Sequence, residues 1–191
     1  MVTVMKPPQG EHRSLRRLFH VSGLVIPLTY LFWGKGLALA LAALILLFLS
    51  AWETLRLTGI LDPSFVKRQL KDKERTRPTG ALLYAGSCLL TMLIFREPVA
   101  VASMFVLAIS DPVSSLIGPR WGRLRFFGKS LEGTSAFFFS SLLILACFRF
   151  RIPAVVGGAC AGALAELFSS RFVDDNLSIP LVCSCALWIL S

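Results

Sequence analysis

Residues Gly36 to Trp52 read GLALALAALILLFLSAW, seventeen positions without one charged side chain. A helix of about 17–25 such residues is what a hydrocarbon core accepts. Six further blocks have the same character: Leu18–Gly34, Pro78–Phe95, Pro98–Pro119, Gly133–Phe148, Ile152–Ser170 and Asn176–Ser191. Gly34, Gly36, Pro78, Pro98 and Pro153 punctuate their ends. The 191-residue chain is 55% hydrophobic and 16% charged, with a mean hydropathy of +0.70. Soluble domains carry about 25% charged residues, and disordered chains carry far fewer apolar ones. These values exclude both classes. The expected fold is an all-α integral membrane protein of about seven spans, forming one polytopic domain over residues 1–191.

The net charge of +9 first suggests nucleic acid. Its distribution points elsewhere. With the N-terminus inside, sixteen of the twenty Lys and Arg fall on one face, leaving Lys35, Arg96, Arg149 and Arg151 on the other. That is the positive-inside pattern, so the expected partner of these cations is anionic lipid and not nucleic acid. Ten of the eleven acids lie at or near that same cytoplasmic face, with Glu97 the exception. Residues 1–17 form a basic amphipathic segment, and residues 53–77 a charged cytoplasmic loop in which Asp62 and Pro63 can start an interfacial helix. Five cysteines inside apolar blocks give no disulfide framework, and His12 and His20 are too few for a zinc centre.

Three clusters remain as candidates for chemistry. Asp111 sits inside an apolar block, where an acid is costly and usually functional. Ser110-Asp111-Pro112 also allows a broken helix capped by Asp111. Residues 118–133 combine Gly118, Gly122, Gly128 and Gly133 with Arg123, Arg125 and Lys129, the composition of a phosphate-handling loop. Gly128-Lys129-Ser130 is not a P-loop, because the position five residues before Gly128 is Arg123. Glu166 and Asp174-Asp175-Asn176 form the third cluster. Adjacent carboxylates suit Mg²⁺ completed by substrate phosphates, although Asp175 or Asn176 could equally cap the last helix. Glu53 and Arg56 are one turn apart, and a mutual ion pair is the plain expectation.

Asp111-x-x-Ser114-x-x-x-Gly118-x-x-x-Gly122, followed by Lys129-Ser130-x-Glu132-Gly133, resembles the CTP-binding signature of dolichol kinase. The wider group includes phytol kinase and CTP-dependent diacylglycerol kinase. Arg17-Leu-Phe-His20, Glu53-x-x-Arg56 and Asp174-Asp175-Asn176-Leu-Ser-Ile-Pro180 match that group as well. The resemblance implies transfer of the γ-phosphoryl group of CTP to the hydroxyl of a membrane lipid alcohol: a polyprenol or dolichol, phytol or diacylglycerol. Asp111, Asp174 and Asp175 would hold Mg²⁺. Lys129, Arg123 and Arg125 would bind phosphate oxygens, with Ser114, Ser130, Gly118, Gly122 and Gly133 around the nucleotide. Glu132 would orient Lys129 or share the metal. Arg17, His20, Glu53, Arg56, Glu166 and Asn176 would serve the lipid or its headgroup. The membrane would be the inner or plasma membrane of a prokaryote, or the endoplasmic reticulum of a eukaryote. The runner-up is a cytidylyltransferase similar to CDP-diacylglycerol synthase, but its C-terminal His-Gly-Gly signature has no counterpart after His20. A small-solute transporter is a third reading, weakened because no internal repeat is visible and the acids gather on one side.

Overall fold

The computed structural model describes residues 22–60, 77–126, 129–169 and 174–191. The expected interfacial helices before Val21 and after Asp62, with Arg17 and His20, lie outside the described residues. Helices α1 (Val25–Trp33) and α2 (Lys35–Leu57) are separated by Gly34, whose φ of 84° turns the chain without the penalty a Cβ would bring. Then come α3 (Gly80–Ile94), α4 (Glu97–Phe105), a π-helical segment (Val106–Ser110), α5 (Asp111–Trp121), α6 (Leu131–Ala146), α7 (Ile152–Ser169) and α8 (Asp175–Leu190). The core lies between α4 and the helices around it. Val101, Met104 and Leu107 are fully enclosed, together with Phe137 of α6 and Ile179 and Leu187 of α8. Large apolar side chains such as Leu47, Phe48, Leu143 and Ile189 point outward instead. A water-soluble bundle would bury them, whereas a lipid-facing one leaves them outside.

Among the described residues, three helices are long and apolar enough to cross a membrane: Lys35–Leu57, the continuous run Glu97–Trp121, and Ile152–Ser169. Gly80–Ile94, Leu131–Ala146 and Asp175–Leu190 are apolar but shorter, and α1 has nine residues. Three of the seven expected spans therefore reach the length that a hydrocarbon core of about 30 Å requires at 1.5 Å per residue. The described fold is helical apart from one short hairpin. Arg125–Phe126 (β1) and Lys129–Ser130 (β2) pair antiparallel, with Arg125 opposite Ser130 and Phe126 opposite Lys129.

Pro112 does not break its helix. The chain stays helical from Glu97 to Trp121, and the five residues before Asp111 widen into a π turn. Such a turn accommodates a proline that has no N–H to give and whose ring crowds the preceding carbonyls. Asp111 lies within this continuous helical run and not at the N-cap of a new half-helix, the position before α5 being Ser110.

Glu53 and Arg56 form the expected pair. Arg56 Nε donates to Glu53 Oε2 at 2.9 Å, and Arg56 Nη2 reaches both that oxygen and, at 2.9 Å, the carbonyl of Arg77. Glu53 Oε1 accepts the N–H of Thr79 at 3.1 Å. The pair is buried, and it fastens the end of α2 to the start of α3. Breaking a buried pair from one side leaves the other charge uncompensated, at a cost of about 3–5 kcal/mol. Arg56→Met should accordingly lower the melting temperature in detergent more than Glu53→Gln combined with Arg56→Met. Equal or reversed losses would remove the ion pair from the account.

Candidate functional site

The spacing of Asp111, Ser114, Gly118 and Gly122 is a single stripe of a helix, at steps of three and four residues. On α5 that stripe faces α6 and the hairpin. A Cβ on Gly122 would lie 2.5 Å from Ser130 Cβ, and one on Gly118 would lie 2.7 Å from Ser130 Oγ. One on Gly133 would come within 3.2 Å of Gly118 Cα. The glycines therefore seat the hairpin and the start of α6 directly on α5. The space that sequence reading reserved for a phosphate beside Gly118, Gly122 and Gly133 is filled by the protein. Ser130, expected at the nucleotide, caps α6 by accepting the N–H of Gly133 at 3.1 Å.

This close packing delivers Lys129 to the upper half of the stripe. Its Nζ lies 2.8 Å from Glu166 Oε1 and 3.5 Å from Asp175 Oδ2, with 24% of the side chain exposed. Asp111, 5% exposed, adds its own field to the ammonium. Burial pulls the Lys129 ammonium down, but the carboxylates of Glu166, Asp175 and Asp111 more than offset it, and Lys129 titrates above an ordinary lysine. Four sequence-distant groups from α5, the hairpin, α7 and α8 thus converge.

Glu166 is the hub. It is 1% exposed, and each of its oxygens is used. Oε1 accepts from Lys129 Nζ and from Ser114 Oγ at 2.9 Å, while Oε2 accepts from Thr134 Oγ1 at 2.9 Å. The expected headgroup role for Glu166 gives way to one inside the charge cluster. Asn176 shifts in the same way. Its Nδ2 donates to Asp174 Oδ1 at 2.8 Å and Asp175 Oδ1 at 3.3 Å, and its carbonyl accepts from Ser87 Oγ at 2.7 Å. Glu53 and Arg56 are engaged with residues 77–79, as above.

Asp174 and Glu132 have partners of their own. Asp174 is the N-cap of α8, accepting the N–H of Asn176 at 3.2 Å, and this turns its carboxylate onto its own helix. Among the described residues no three His, Cys, Asp or Glu side chains form a group that could hold a metal ion, so Asp111, Asp174 and Asp175 do not meet as a trio. Glu132 does not orient Lys129. Its Oε1 accepts the N–H groups of Arg123 at 2.8 Å and Leu124 at 3.4 Å, pinning the segment that leads into the hairpin. Its Oε2 is shielded from solvent and has no hydrogen-bond partner among the described residues. Arg123 and Arg125 are exposed.

Sequence reading missed Thr134 and Ser87. Thr134 follows Gly133 and lies three residues before the core Phe137, on the face of α6 that meets Glu166. Glu166 was among the sequence candidates, as a lone acid in an apolar block should be.

The comparisons with known proteins follow this geometry. A phytol kinase of Synechocystis is 36% identical over 118 residues, and a CTP-dependent diacylglycerol kinase of Schizosaccharomyces pombe is 28% identical over 141. The chain is similar to these two kinases over part of its length. These matches cover 56% and 63% of the chain, and 49% and 64% of the two relatives' own lengths. An uncharacterized protein of Rickettsia prowazekii is 29% identical over 192 residues, covering 93% of this chain and 94% of that protein. No family profile and no solved structure matches.

Proposed function

We propose that this lipid kinase relative transfers the γ-phosphoryl group of CTP to the hydroxyl of a membrane lipid alcohol at the cytoplasmic face. The observation that carries the reading is Lys129, half-buried among Glu166, Asp175 and Asp111 in a bundle with an apolar exterior. Phosphoryl transfer asks for positioning and charge neutralisation more than covalent chemistry. One ammonium and three carboxylates leave an excess of negative charge in a secluded place, a donor set that suits Mg²⁺. That ion is held through one or two carboxylates plus substrate phosphates, so Asp111 and Asp175 suffice without a third protein acid. When bound, Mg²⁺ neutralises charge on the phosphate oxygens.

The protein's own groups divide the remaining work. Lys129 binds a phosphate oxygen, and Glu166, with both oxygens already occupied, fixes the direction of its ammonium. The lipid hydroxyl oxygen forms its bond to the γ-phosphorus as the bond to the bridging oxygen breaks and CDP leaves. The hydroxyl proton passes to a carboxylate of the cluster. Purified protein incubated with γ-labelled CTP and a panel of polyprenol, phytol and diacylglycerol should give at least one labelled phospholipid-type product. No labelled lipid with any acceptor would overturn the proposal.

A further inference from the structure

The segment between α5 and β2 exposes large apolar and basic side chains together. Trp121, Leu124 and Phe126 are 60%, 63% and 55% exposed, and Arg120, Arg123 and Arg125 alternate with them in the exposed class. Apolar side chains of this size are rarely left in water together without a partner surface. Arginines interleaved with them restrict that surface to one that is apolar below and anionic above. The segment is also held in shape. Glu132 Oε1 accepts the N–H groups of Arg123 and Leu124, Gly122 donates to the carbonyl of Gly118 at 3.0 Å, and Leu131 donates to that of Leu124 at 2.9 Å.

Its depth follows from the helix that carries it. Glu97–Trp121 has 25 residues, about 37 Å at 1.5 Å per residue. The hydrocarbon core is about 30 Å thick, so a helix that crosses it delivers Trp121 to the headgroup level. Tryptophan and arginine are the residues that this level favours.

We infer that residues 120–126 form an interfacial wedge, with Trp121, Leu124 and Phe126 seated at the acyl boundary and Arg120, Arg123 and Arg125 among anionic lipid phosphates. The inference rests on the membrane and lipid-kinase reading and adds how the acceptor is met. Phe126 is paired with Lys129 across the hairpin, so seating the first strand sets Lys129 at the depth where a lipid hydroxyl resides. The wedge positions the site against the bilayer surface and is not itself catalytic.

The test uses the full chain with Trp33, Trp52 and Trp188 replaced by Phe, leaving Trp121 as the reporter. It is reconstituted in vesicles of phosphatidylglycerol and phosphatidylcholine carrying bromines near either the headgroup end or the methyl end of the acyl chains. Emission of Trp121 should be blue-shifted, and quenched more by the shallow bromines than by the deep ones. Leu124→Ser combined with Phe126→Ser should reduce both effects while the protein still reconstitutes. Quenching by a water-soluble quencher alone, or strongest quenching by the deep bromines, would overturn the wedge. Transfer of label from γ-labelled CTP is scored separately. Interfacial Trp121 without transfer leaves the wedge standing and removes the kinase reading; transfer with Trp121 in water does the reverse.

Discussion

Lys129→Met should lower transfer by about 10²–10³-fold per folded molecule, and should be the most destabilising single change in the site. Removing preorganised charge stabilisation costs about 10²–10³ in turnover, and Lys129 is here the cation that three buried carboxylates share. Its loss leaves Glu166, Asp175 and Asp111 without that cation, a penalty of about 3–5 kcal/mol by analogy with broken buried pairs. Lys129→Arg keeps the charge and should recover most of the melting temperature. It should not recover turnover, because a guanidinium fork does not reproduce a point charge seated on Glu166 Oε1. Steady-state transfer and thermal melting in detergent, measured on all three proteins, decide the matter. Near-parental transfer from a folded Lys129→Met protein would contradict the role. The pH behaviour carries the same signature. Because the folded pKa of Lys129 is raised, its contribution to stability is fully present below the unfolded value of about 10.4 and fades only as pH climbs through the folded value. A loss of transfer near neutrality must therefore come from another group.

Asp111→Asn should lower turnover by at least about 10²-fold while the protein extracts and melts like its parent. Asn is nearly the same size as Asp and fits the same helical position. Lys129 keeps Glu166 and Asp175, so the fold retains its main pairs. What Asn cannot supply is a negative charge to hold Mg²⁺ against the substrate phosphates, and an ion bound through one or two carboxylates has no spare ligand. The deficit should narrow as Mg²⁺ is raised, which a purely structural role would not produce. A well-folded variant with parental kinetics would remove Asp111 from the metal site.

The apolar blocks, and the Asp111-to-Gly122 stripe within one of them, were legible because hydropathy and helical period are local properties. Lys129 and Asp175 were legible by residue type. The partners of Lys129 were not, since Glu166 and Asp175 lie 37 and 46 residues away along the chain and no spacing encodes that meeting. Glu132 was misread for the related reason that an acid one turn into a helix can serve a lysine or a backbone equally well; packing of the 122–126 segment chose the backbone. Asp175 or Asn176 was expected as a cap of the last helix, and the structure gives that place to Asp174, one residue earlier. Pro112 signalled a break, and the π turn absorbed it without one. The glycines were read as openings for a ligand, whereas in the fold they let two helices and a hairpin touch.

The central claim is a kinase reaction at the Lys129 cluster, and parallel incubations with α-labelled and γ-labelled CTP test it most directly. Each would use the purified protein in lipid with an accepted alcohol and Mg²⁺. The account predicts label in the lipid from γ-labelled CTP only, with CDP as the other product and transfer by the Lys129→Met protein lowered about 10²–10³-fold. Label in the lipid from α-labelled CTP, with release of pyrophosphate, would instead show a cytidylyltransferase and contradict it.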